Sequence, residues 1–442
     1  MIRGRGYRAA MVRFRCAVTL ARLARTLSRV AGRGGTAFPG LVALRIDPRV
    51  IEKLVASIPQ GVVVVTGTNG KTTTAKMITT MLTGSGWTVL ANRTGSNLAR
   101  GVAAALVGAV RRGRLCVDAA VFEIDEAAVR DLGPRLRPRL IVVTNLACDQ
   151  LDRYGELDTT ARHVAAAVAA SRIAVLAADD PMVARLGAGR SAESPEGGEI
   201  AWFGAVPEIK ATLPDDRALY GYAEAGHAGP FDARLTRTTP DGDGQSIAVT
   251  VDRREVAVFL QVPGVYNGYN ATAALLAVSR LGIDPVSAAV HLSAMAPAFG
   301  RGQVVDYHGR RVRLVLVKNP AGLNQAIRLL CDEPTPSAVL IAINDNHADG
   351  RDVSWLWDAS VEALAATPHR FGAGGIRSAD MALRFKYAGI DSWVERDDRR
   401  ALERLVADAA AGDAVYLIPT YTAMLSFLEL LLPGRSPEEV WS

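Results

Sequence analysis

A short run of glycines followed by Lys-Thr, GTNGKTTT, carries the residue types of a phosphate-binding site. Gly67 and Gly70 would let backbone N–H groups approach an anion, and a helix beginning at Lys71 would add the positive end of its dipole. Lys71 can reach the β- and γ-phosphates of a nucleotide, and the hydroxyl of Thr72 can ligate Mg²⁺. The general motif has a glycine at the position of Val65. The alternative is an ordinary glycine turn before a helix that Thr72 caps.

The flanking sequence supplies the elements that must position such a loop. The valines at 62–65 form an uninterrupted apolar run, typical of a parallel strand covered on both faces. Residues 71–83 carry apolar side chains at helical spacing and end at a Gly-Ser-Gly turn. Strand candidates at 115–125, 139–146 and 172–181 alternate with helical segments. This alternation predicts an α/β fold with a parallel sheet.

Polar side chains follow two of these strand candidates. Glu123 ends one strand, and Asn145, Asp149, Gln150 and Asp152 follow the next. Parallel sheets bind ligands at the carboxyl ends of their strands. Glu123 is therefore a candidate ligand for the Mg²⁺ of a nucleotide, with a solvated strand-end acid as the alternative.

Two further stretches carry candidate chemistry. Asn267 and Asn270 stand three residues apart at the start of a predicted helix, where they could pair with an adenine edge or act as caps. The segment 342–358 is dense in acids, and a capped helix or a carboxylate presented to a substrate or partner would both explain it. Its candidates are Asp345, His347, Asp349, Asp352 and Asp358.

Changes in composition along the chain predict three regions. Residues 1–54 form a basic N-terminal helix and lead-in, and 55–298 form the central nucleotide-binding domain, with a β-rich part at 186–263. Residues 299–442 again alternate strands and helices and form a second α/β domain.

The charge of the chain is concentrated at its N-terminus. The net charge is +6, yet residues 1–33 hold nine arginines and no acid, so the remainder is close to neutral. This argues against a nucleic-acid-binding protein. The basic segment 7–32 could pack on a partner, lie on anionic lipid or be solvated. Without a secretory signal or a long apolar span, we expect a cytoplasmic protein, with work at the inner membrane face as an option.

The four cysteines are widely separated, and the sequence contains no C-x-x-C motif. We therefore expect reduced thiols and neither a zinc site nor a disulfide framework.

With these motifs the chain resembles the Mur ligase superfamily, in which GTNGKTTT is a shortened P-loop. Glu123 matches the superfamily's magnesium-binding glutamate, and 145–155 matches its N-x-x-x-D-H-x-D-x-x-G element. Asn267 matches an adenine-contacting asparagine, and Arg301 an arginine that opens the C-terminal domain. The resemblance implies ATP and Mg²⁺ as cofactors, with Thr72 and Glu123 as magnesium ligands and Lys71 and Glu123 as catalytic residues. It implies nucleotide contacts from Gly67, Thr68, Asn69, Gly70, Lys71, Thr72, Thr73, Asn267 and Arg301.

Within the superfamily, the MurT family is the most similar, over nearly the whole chain. The likeness lies in GGTAFPGLVALRIDP, TGSNLARG, CDQLDRYGE and DGRDVSWLWD. It implies the ligase subunit of lipid II isoglutaminyl synthase, which amidates D-glutamate of lipid II through an acyl phosphate. Ammonia would come from a GatD-like glutamine amidotransferase in a heterodimer. Asp349 or Asp352 would complete the catalytic Cys-His pair of that partner.

Some features leave alternatives open. Gln150 stands where many superfamily members have a metal-binding histidine, and the downstream helix lacks the lysine that holds a second Mg²⁺. A ligase that adds an amino acid, like folylpolyglutamate synthase, is a second hypothesis. A nucleotide-binding subunit without catalysis is the third.

Overall fold

The computed structural model describes residues 2–30, 37–92, 97–147, 157–193, 198–213, 227, 229–296, 301–410 and 412–434. Within them, the helices are α1 (Ile2–Val30), α2 (Phe38–Ile46), α3 (Val50–Val55), α4 (Lys71–Gly84), α5 (Ala99–Ala109), α6 (Glu126–Leu136), α7 (Leu157–Ala169), α8 (Pro181–Glu193), α9 (Pro207–Lys210), α10 (Val265–Arg280), α11 (Pro285–Ser293), α12 (Pro320–Cys331), α13 (Ser378–Tyr387), α14 (Asp398–Asp408) and α15 (Tyr421–Leu431). Two 3-10 helices span Ser354–Asp358 and Val361–Ala366.

A large central sheet dominates the first part of the molecule. In the described residues it has nine strands in the order β11-β10-β9-β8-β7-β6-β1-β5-β2. The seven strands β9, β8, β7, β6, β1, β5 and β2 are parallel to one another. Strands β10 and β11 continue antiparallel from β9 and form one edge of the sheet. Their bounds are β1 (Val62–Thr66), β2 (Val89–Ala91), β5 (Ala119–Glu123), β6 (Leu140–Val143), β7 (Ile173–Ala177), β8 (Glu199–Ala205), β9 (Ala233–Asp241), β10 (Gly244–Val251) and β11 (Arg254–Leu260).

A second, smaller sheet follows in the chain. Its order is β12-β13-β17-β14-β15-β16, parallel except for the β12–β13 hairpin. Its strands are β12 (Arg301–Tyr307), β13 (Arg310–Val315), β14 (Ser337–Ala342), β15 (Arg370–Gly374), β16 (Ser392–Val394) and β17 (Ala414–Pro419). A short hairpin, β3 (Val110–Arg111) with β4 (Arg114–Leu115), stands apart from both sheets.

Strand β1 lies in the middle of the central sheet, between β5 and β6. All five of its residues are buried, as expected where helices cover both faces. The loop that precedes α4 follows β1 directly in the chain. The registers place Glu123 opposite Val65 and Val143 opposite Thr66, so β5 and β6 end beside this loop.

Local boundaries differ from the sequence-based expectation in two places. The glycine-rich composition of 32–40 predicts a turn, but α2 begins at Phe38, with Pro39 in its first turn, where proline is well tolerated. The predicted strand 115–125 is interrupted: β4 ends at Leu115 and β5 begins at Ala119. The exact domain boundaries stay a prediction, because residues around Phe299 lie outside the described residues.

Candidate nucleotide-binding site

The loop between β1 and α4 has the backbone shape of an anion cradle. Gly67 has φ 124° and Gly70 has φ 84°, a region that favours glycine. Gly70 is also the N-cap of α4, so the unpaired N–H groups of the first helical turn open towards the loop. The arrangement can accept a phosphate group at the helix N-terminus.

Close packing around the loop also requires glycine at both positions, because a Cβ there would clash with neighbouring atoms. A Cβ at Gly67 would lie 2.4 Å from Thr144 Oγ1, and one at Gly70 would lie 2.3 Å from Asn270 Oδ1.

We expect Gly70→Ala to lower nucleotide affinity at least about tenfold, because strain at positive φ and the contact with Asn270 would both distort the loop. Binding of a fluorescent ATP analogue measures the effect. Gly86→Ala is the matched control, since it has a similar φ of 91° but open space around it. Equal losses in both variants would contradict the assignment.

Lys71 is buried and already has partners. Its Nζ donates to Glu126 Oε2 at 2.8 Å, to Thr68 O at 3.2 Å and to Gly67 O. Burial alone would lower the pKa of Lys71, but the charges of Glu126 and Asp125 outweigh this effect and raise it. Lys71 is therefore a charged ammonium held at the mouth of the loop.

The segment after β6 holds the tip of the loop in place. Asn69 N donates a hydrogen bond to Asn145 Oδ1 at 2.9 Å, and Asn145 Nδ2 donates to Asn69 O at 3.0 Å. Thr144 Oγ1 donates to the same carbonyl at 2.7 Å, and Ala147 N donates to Thr68 Oγ1 at 3.0 Å. The rest of the predicted element, with Asp149, Gln150 and Asp152, lies outside the described residues.

Thr72 and Glu123, the predicted magnesium ligands, are both partly exposed beside this loop. Asn92 Nδ2 donates to Glu123 O at 2.8 Å, and Glu123 N donates to Asn92 Oδ1 at 2.9 Å. These bonds fix the backbone and leave the carboxylate available. Within the described residues no cluster of three His, Cys, Asp or Glu side chains could hold a metal. A cation here would need phosphate oxygens as further ligands, which suits Mg²⁺.

Unpaired polar atoms near the loop also fit a nucleotide. Among the residues that the structure describes, the buried hydroxyls of Thr66, Thr73 and Thr74 and the buried Oδ1 of Asn267 have no hydrogen-bond partner. Buried polar atoms are normally paired, so such a group needs an explanation. A phosphate bound at the start of α4 would offer acceptors to threonine hydroxyls of this region.

A cavity of about 180 Å³ lies between the two sheets, next to the loop. Its central-domain wall includes Asn69, Asn145 and Asn270, and its other wall comes from Val315, Leu316, Ala321, Gly322 and Gln325. Asp179 adds a charged group that pairs with Lys210 at 3.4 Å and accepts from Tyr269 Oη at 3.2 Å. Burial, reinforced by Asp179, raises the pKa of the Tyr269 phenol, which therefore stays a donor. The cavity therefore combines apolar walls with a hydroxyl donor and a carboxylate.

The two asparagines of α10 take different positions. Asn270 lines the cavity, whereas the lining given by the described residues does not include Asn267. Asn267 Nδ2 instead donates to Pro263 O at 2.6 Å. The adenine contact predicted for Asn267 stays a prediction, and Asn270 is a further candidate. Arg301 is the first residue of β12, and its side chain lies outside the described residues.

The second domain touches the phosphate loop itself. Asn319, the N-cap of α12, donates from Nδ2 to Asn69 Oδ1 at 3.2 Å. On the outer side, Asp243 of the β9–β10 turn pairs with Arg313 at 2.7 Å and with Arg311. The first contact holds the amino end of α12 at the loop, where Ala321 and Gly322 line the cavity, and the second ties β13 to the central domain.

The acids of the 342–358 segment lie in the second domain. Asp349 is buried and accepts from Thr422 N at 2.7 Å, Thr422 Oγ1 at 2.5 Å and Asn346 N at 3.2 Å. Burial raises its pKa. Asp352 is exposed, and its Oδ1 accepts from Ser354 N at 2.8 Å. Hydrogen bonding to the Ser354 hydroxyl, together with this backbone bond, lowers the pKa of Asp352. Of this pair, only Asp352 faces solvent.

Sequence reasoning missed three residues that the structure brings to the site. Glu126 pairs with Lys71, Asn319 reaches Asn69 from the other domain, and Asp179 lies in the cavity wall. Glu126 follows a strand end like Glu123, so its position was a usable signal. The Asn-Pro pair before α12 was also a cap signal, but nothing local indicates what its amide would touch.

Comparisons with known proteins agree with this geometry. Residues 65–196 match the Mur ligase middle domain family, and residues 316–424 match the MurT ligase C-terminal family. The chain is 32% identical over 427 residues to the MurT subunit of lipid II isoglutaminyl synthase (glutamine-hydrolyzing) of Streptococcus pneumoniae, covering 92% of this chain and 94% of the relative. It is 28% identical over 442 residues to the Staphylococcus aureus N315 subunit of the same name, covering 94% and 97%.

Solved structures show the same fold. MurF from Acinetobacter baumannii superposes with a TM-score of 0.66 at 18% identity, covering 91% of this chain and 80% of that one. MurF from Thermotoga maritima, solved in complex with ADP, has a TM-score of 0.65 at 16% identity, covering 89% and 85%. The predicted α/β fold, with a Mur ligase-like central domain and a second α/β domain, is thereby confirmed. The chain belongs to the MurT family of the Mur ligase superfamily.

Proposed function

We propose that the chain is an ATP-dependent ligase subunit that amidates the α-carboxylate of D-glutamate in the stem peptide of lipid II, a step of peptidoglycan synthesis. The observation that carries this proposal is the phosphate cradle with its buried Lys71, which opens on a cavity between two domains. Relatives that bear the name of this enzyme's subunit match over more than nine-tenths of the chain.

The proposed reaction has two steps. A carboxylate oxygen of the substrate attacks the γ-phosphorus of ATP, and the bond to the bridging oxygen of the departing ADP breaks. Ammonia then attacks the acyl carbon, phosphate leaves and a proton is released, which gives D-isoglutamine. Phosphorylation is needed because a carboxylate is a poor electrophile.

The residues of the site would divide this work. The N–H groups at the start of α4 and the ammonium of Lys71 would hold the phosphates and stabilise the charge of the transferred group. Thr72 and Glu123 would hold a magnesium ion, which supplies charge neutralisation at the same oxygens. Asn270 and Tyr269 would contact the nucleoside in the cavity. ATP is a cytoplasmic substrate, so we place the reaction in the cytoplasm.

Ammonia would come from a glutamine amidotransferase subunit, GatD-like, in a heterodimer. The second domain offers that partner an exposed carboxylate at Asp352. Trp357, five residues after Asp352, forms an exposed edge-to-face pair with Tyr387, with ring centroids 5.3 Å apart. The buried Arg384 lies against the Trp357 ring. Exposed Trp and Tyr are typical of protein interfaces. We therefore assign to Asp352, rather than to the buried Asp349, the role of orienting the partner's histidine.

The decisive experiment supplies lipid II, ATP, Mg²⁺ and ammonium chloride to the isolated chain and analyses the product by mass spectrometry. We expect a product about one mass unit lighter, because OH is replaced by NH₂. Glutamine should not replace ammonium unless the glutaminase subunit is added. Turnover with glutamine by the isolated chain would contradict the division of labour.

The same assay distinguishes the other hypotheses. Addition of a whole amino acid to the substrate would identify a ligase of the folylpolyglutamate synthase type. No product with either nitrogen source, even with the glutaminase present, would favour a nucleotide-binding subunit without catalysis.

A further inference from the structure

The N-terminal helix α1 has two faces with different surroundings. On its inner face Ala17, Val18, Ala21 and Ala24 are buried where the helix packs on α2 and α5. Their spacing of three and four residues is that of one helical face. This inner face anchors α1 to the central domain.

The outer face carries an apolar stripe. Val12, Leu20 and Leu23 are 59%, 48% and 54% exposed, and Cys16 is exposed between them. Spacings of eight and three residues place Val12, Leu20 and Leu23 on one face of the helix, on the side away from the buried alanines. Single exposed apolar residues are ordinary, but an aligned set on an amphipathic helix marks an interaction surface.

Arginines border this stripe on both sides. By helical geometry Arg13 lies on one flank, and Arg15 and Arg22 lie on the other. All three are exposed, and Arg13 Nε donates to Ile46 O at the end of α2. No described carboxylate pairs with Arg15 or Arg22. The sequence offers little local compensation, since residues 1–33 contain no acid.

We propose that the outer face of α1 binds an anionic phospholipid surface, with α1 parallel to the membrane plane. Leu20 and Leu23 would enter the boundary between headgroups and acyl chains, while Arg15 and Arg22 contact lipid phosphates. An apolar centre with cationic flanks is the pattern of interfacial helices. Among the described residues no helix is long and apolar enough to cross a bilayer, so this contact would be peripheral.

The charge argues against the nearest competing occupant, a second copy of the chain. A symmetric contact through α1 would bring two segments rich in arginine and free of acid against each other, and like charges at close range repel. A membrane instead offers negative charge and an apolar layer together. The proposal goes beyond the proposed function, because it requires neither ATP nor the lipid-linked substrate.

Co-sedimentation of the full chain with vesicles tests the proposal without substrate or nucleotide. One vesicle type contains phosphatidylglycerol and phosphatidylcholine, and the other contains phosphatidylcholine alone. We expect binding to the anionic vesicles, weakened by added salt, and little binding to neutral ones. The double variant Arg15→Gln/Arg22→Gln should lower the partition coefficient about 30-fold. Leu20→Ser/Leu23→Ser should lower it at least as much.

A matched control uses exposed apolar residues elsewhere. Val286 and Val290 of α11 are 40% and 69% exposed, and Val286→Ser/Val290→Ser should bind vesicles like the original chain. Circular dichroism of each variant verifies that it is folded. Absence of binding to anionic vesicles, or equal binding by all variants, would overturn the proposal. So would leucine variants that change only the oligomeric state in light scattering or only the affinity for a glutaminase subunit.

Discussion

Replacing Lys71 by methionine is expected to reduce amidation with ammonium chloride by about 10²–10³-fold or more. The substitution removes the ammonium that would stabilise charge on the transferred phosphoryl group, while the methionine keeps most of the buried stem. The measurement is the initial rate of amidated lipid II formation with saturating ammonium, followed by mass spectrometry. A rate within about tenfold of the original would contradict the role given to Lys71.

The variant needs a control for folding, because Lys71 is the buried partner of Glu126. Removing one member of a buried ion pair leaves the other uncompensated and costs about 3–5 kcal/mol. Lys71→Met/Glu126→Gln removes both charges and should recover most of the lost stability in thermal unfolding. Its amidation rate should stay low. Recovery of the rate together with the stability would show that Lys71 acts structurally.

The second large effect is expected at Asp352. Asp352→Asn should lower glutamine-dependent amidation in the complex by about 10³–10⁴-fold, as when the carboxylate that orients a catalytic histidine is replaced by an amide. Amidation with ammonium chloride should stay within about twofold, because the ligase site is unchanged. Both rates are measured on the same preparation of the two-subunit complex.

Asp349→Asn is the matched comparison. An amide oxygen cannot accept all three hydrogen bonds that Thr422 and Asn346 donate to this carboxylate, so the loop should lose stability. We expect a lower melting temperature and parallel changes in both activities. A selective loss of the glutamine-dependent rate in Asp349→Asn, with Asp352→Asn unaffected, would exchange the roles of the two aspartates.

The parts of the site that sequence predicts well are those encoded locally. Strand β1, the glycine turn and the start of α4 follow each other directly, and each carries its own pattern of apolar residues or glycine. Partner choice is different, because it depends on register between distant segments. Whether Glu123 or Glu126 pairs with Lys71 is decided by where β5 ends beside β1. Asn319 is 250 positions from Asn69, and no local pattern connects them.

The same reasoning explains the differences in the acidic segment. Its density of Asp residues is visible in the sequence, but burial distinguishes Asp349 from Asp352. That burial depends on Thr422, which stands 73 positions away at the start of α15. The sequence does not predict the start of helix α2, because glycine and proline are more common in turns than in helices. Gly40 lies in this helix because the backbone of α5 leaves no room for a Cβ.

The pairing of Lys71 with Glu126 has a consequence for the thermodynamics of nucleotide binding. In the described structure the ammonium is satisfied by a carboxylate and by two carbonyls of its own loop. A phosphate that binds this ammonium would compete with Glu126, so the dissociation constant of the nucleotide would include the free-energy cost of breaking the resting ion pair. After ADP dissociates, the ion pair would form again, which would favour release of the product. We therefore expect this ion pair to lower the affinity for nucleotide and to favour product release.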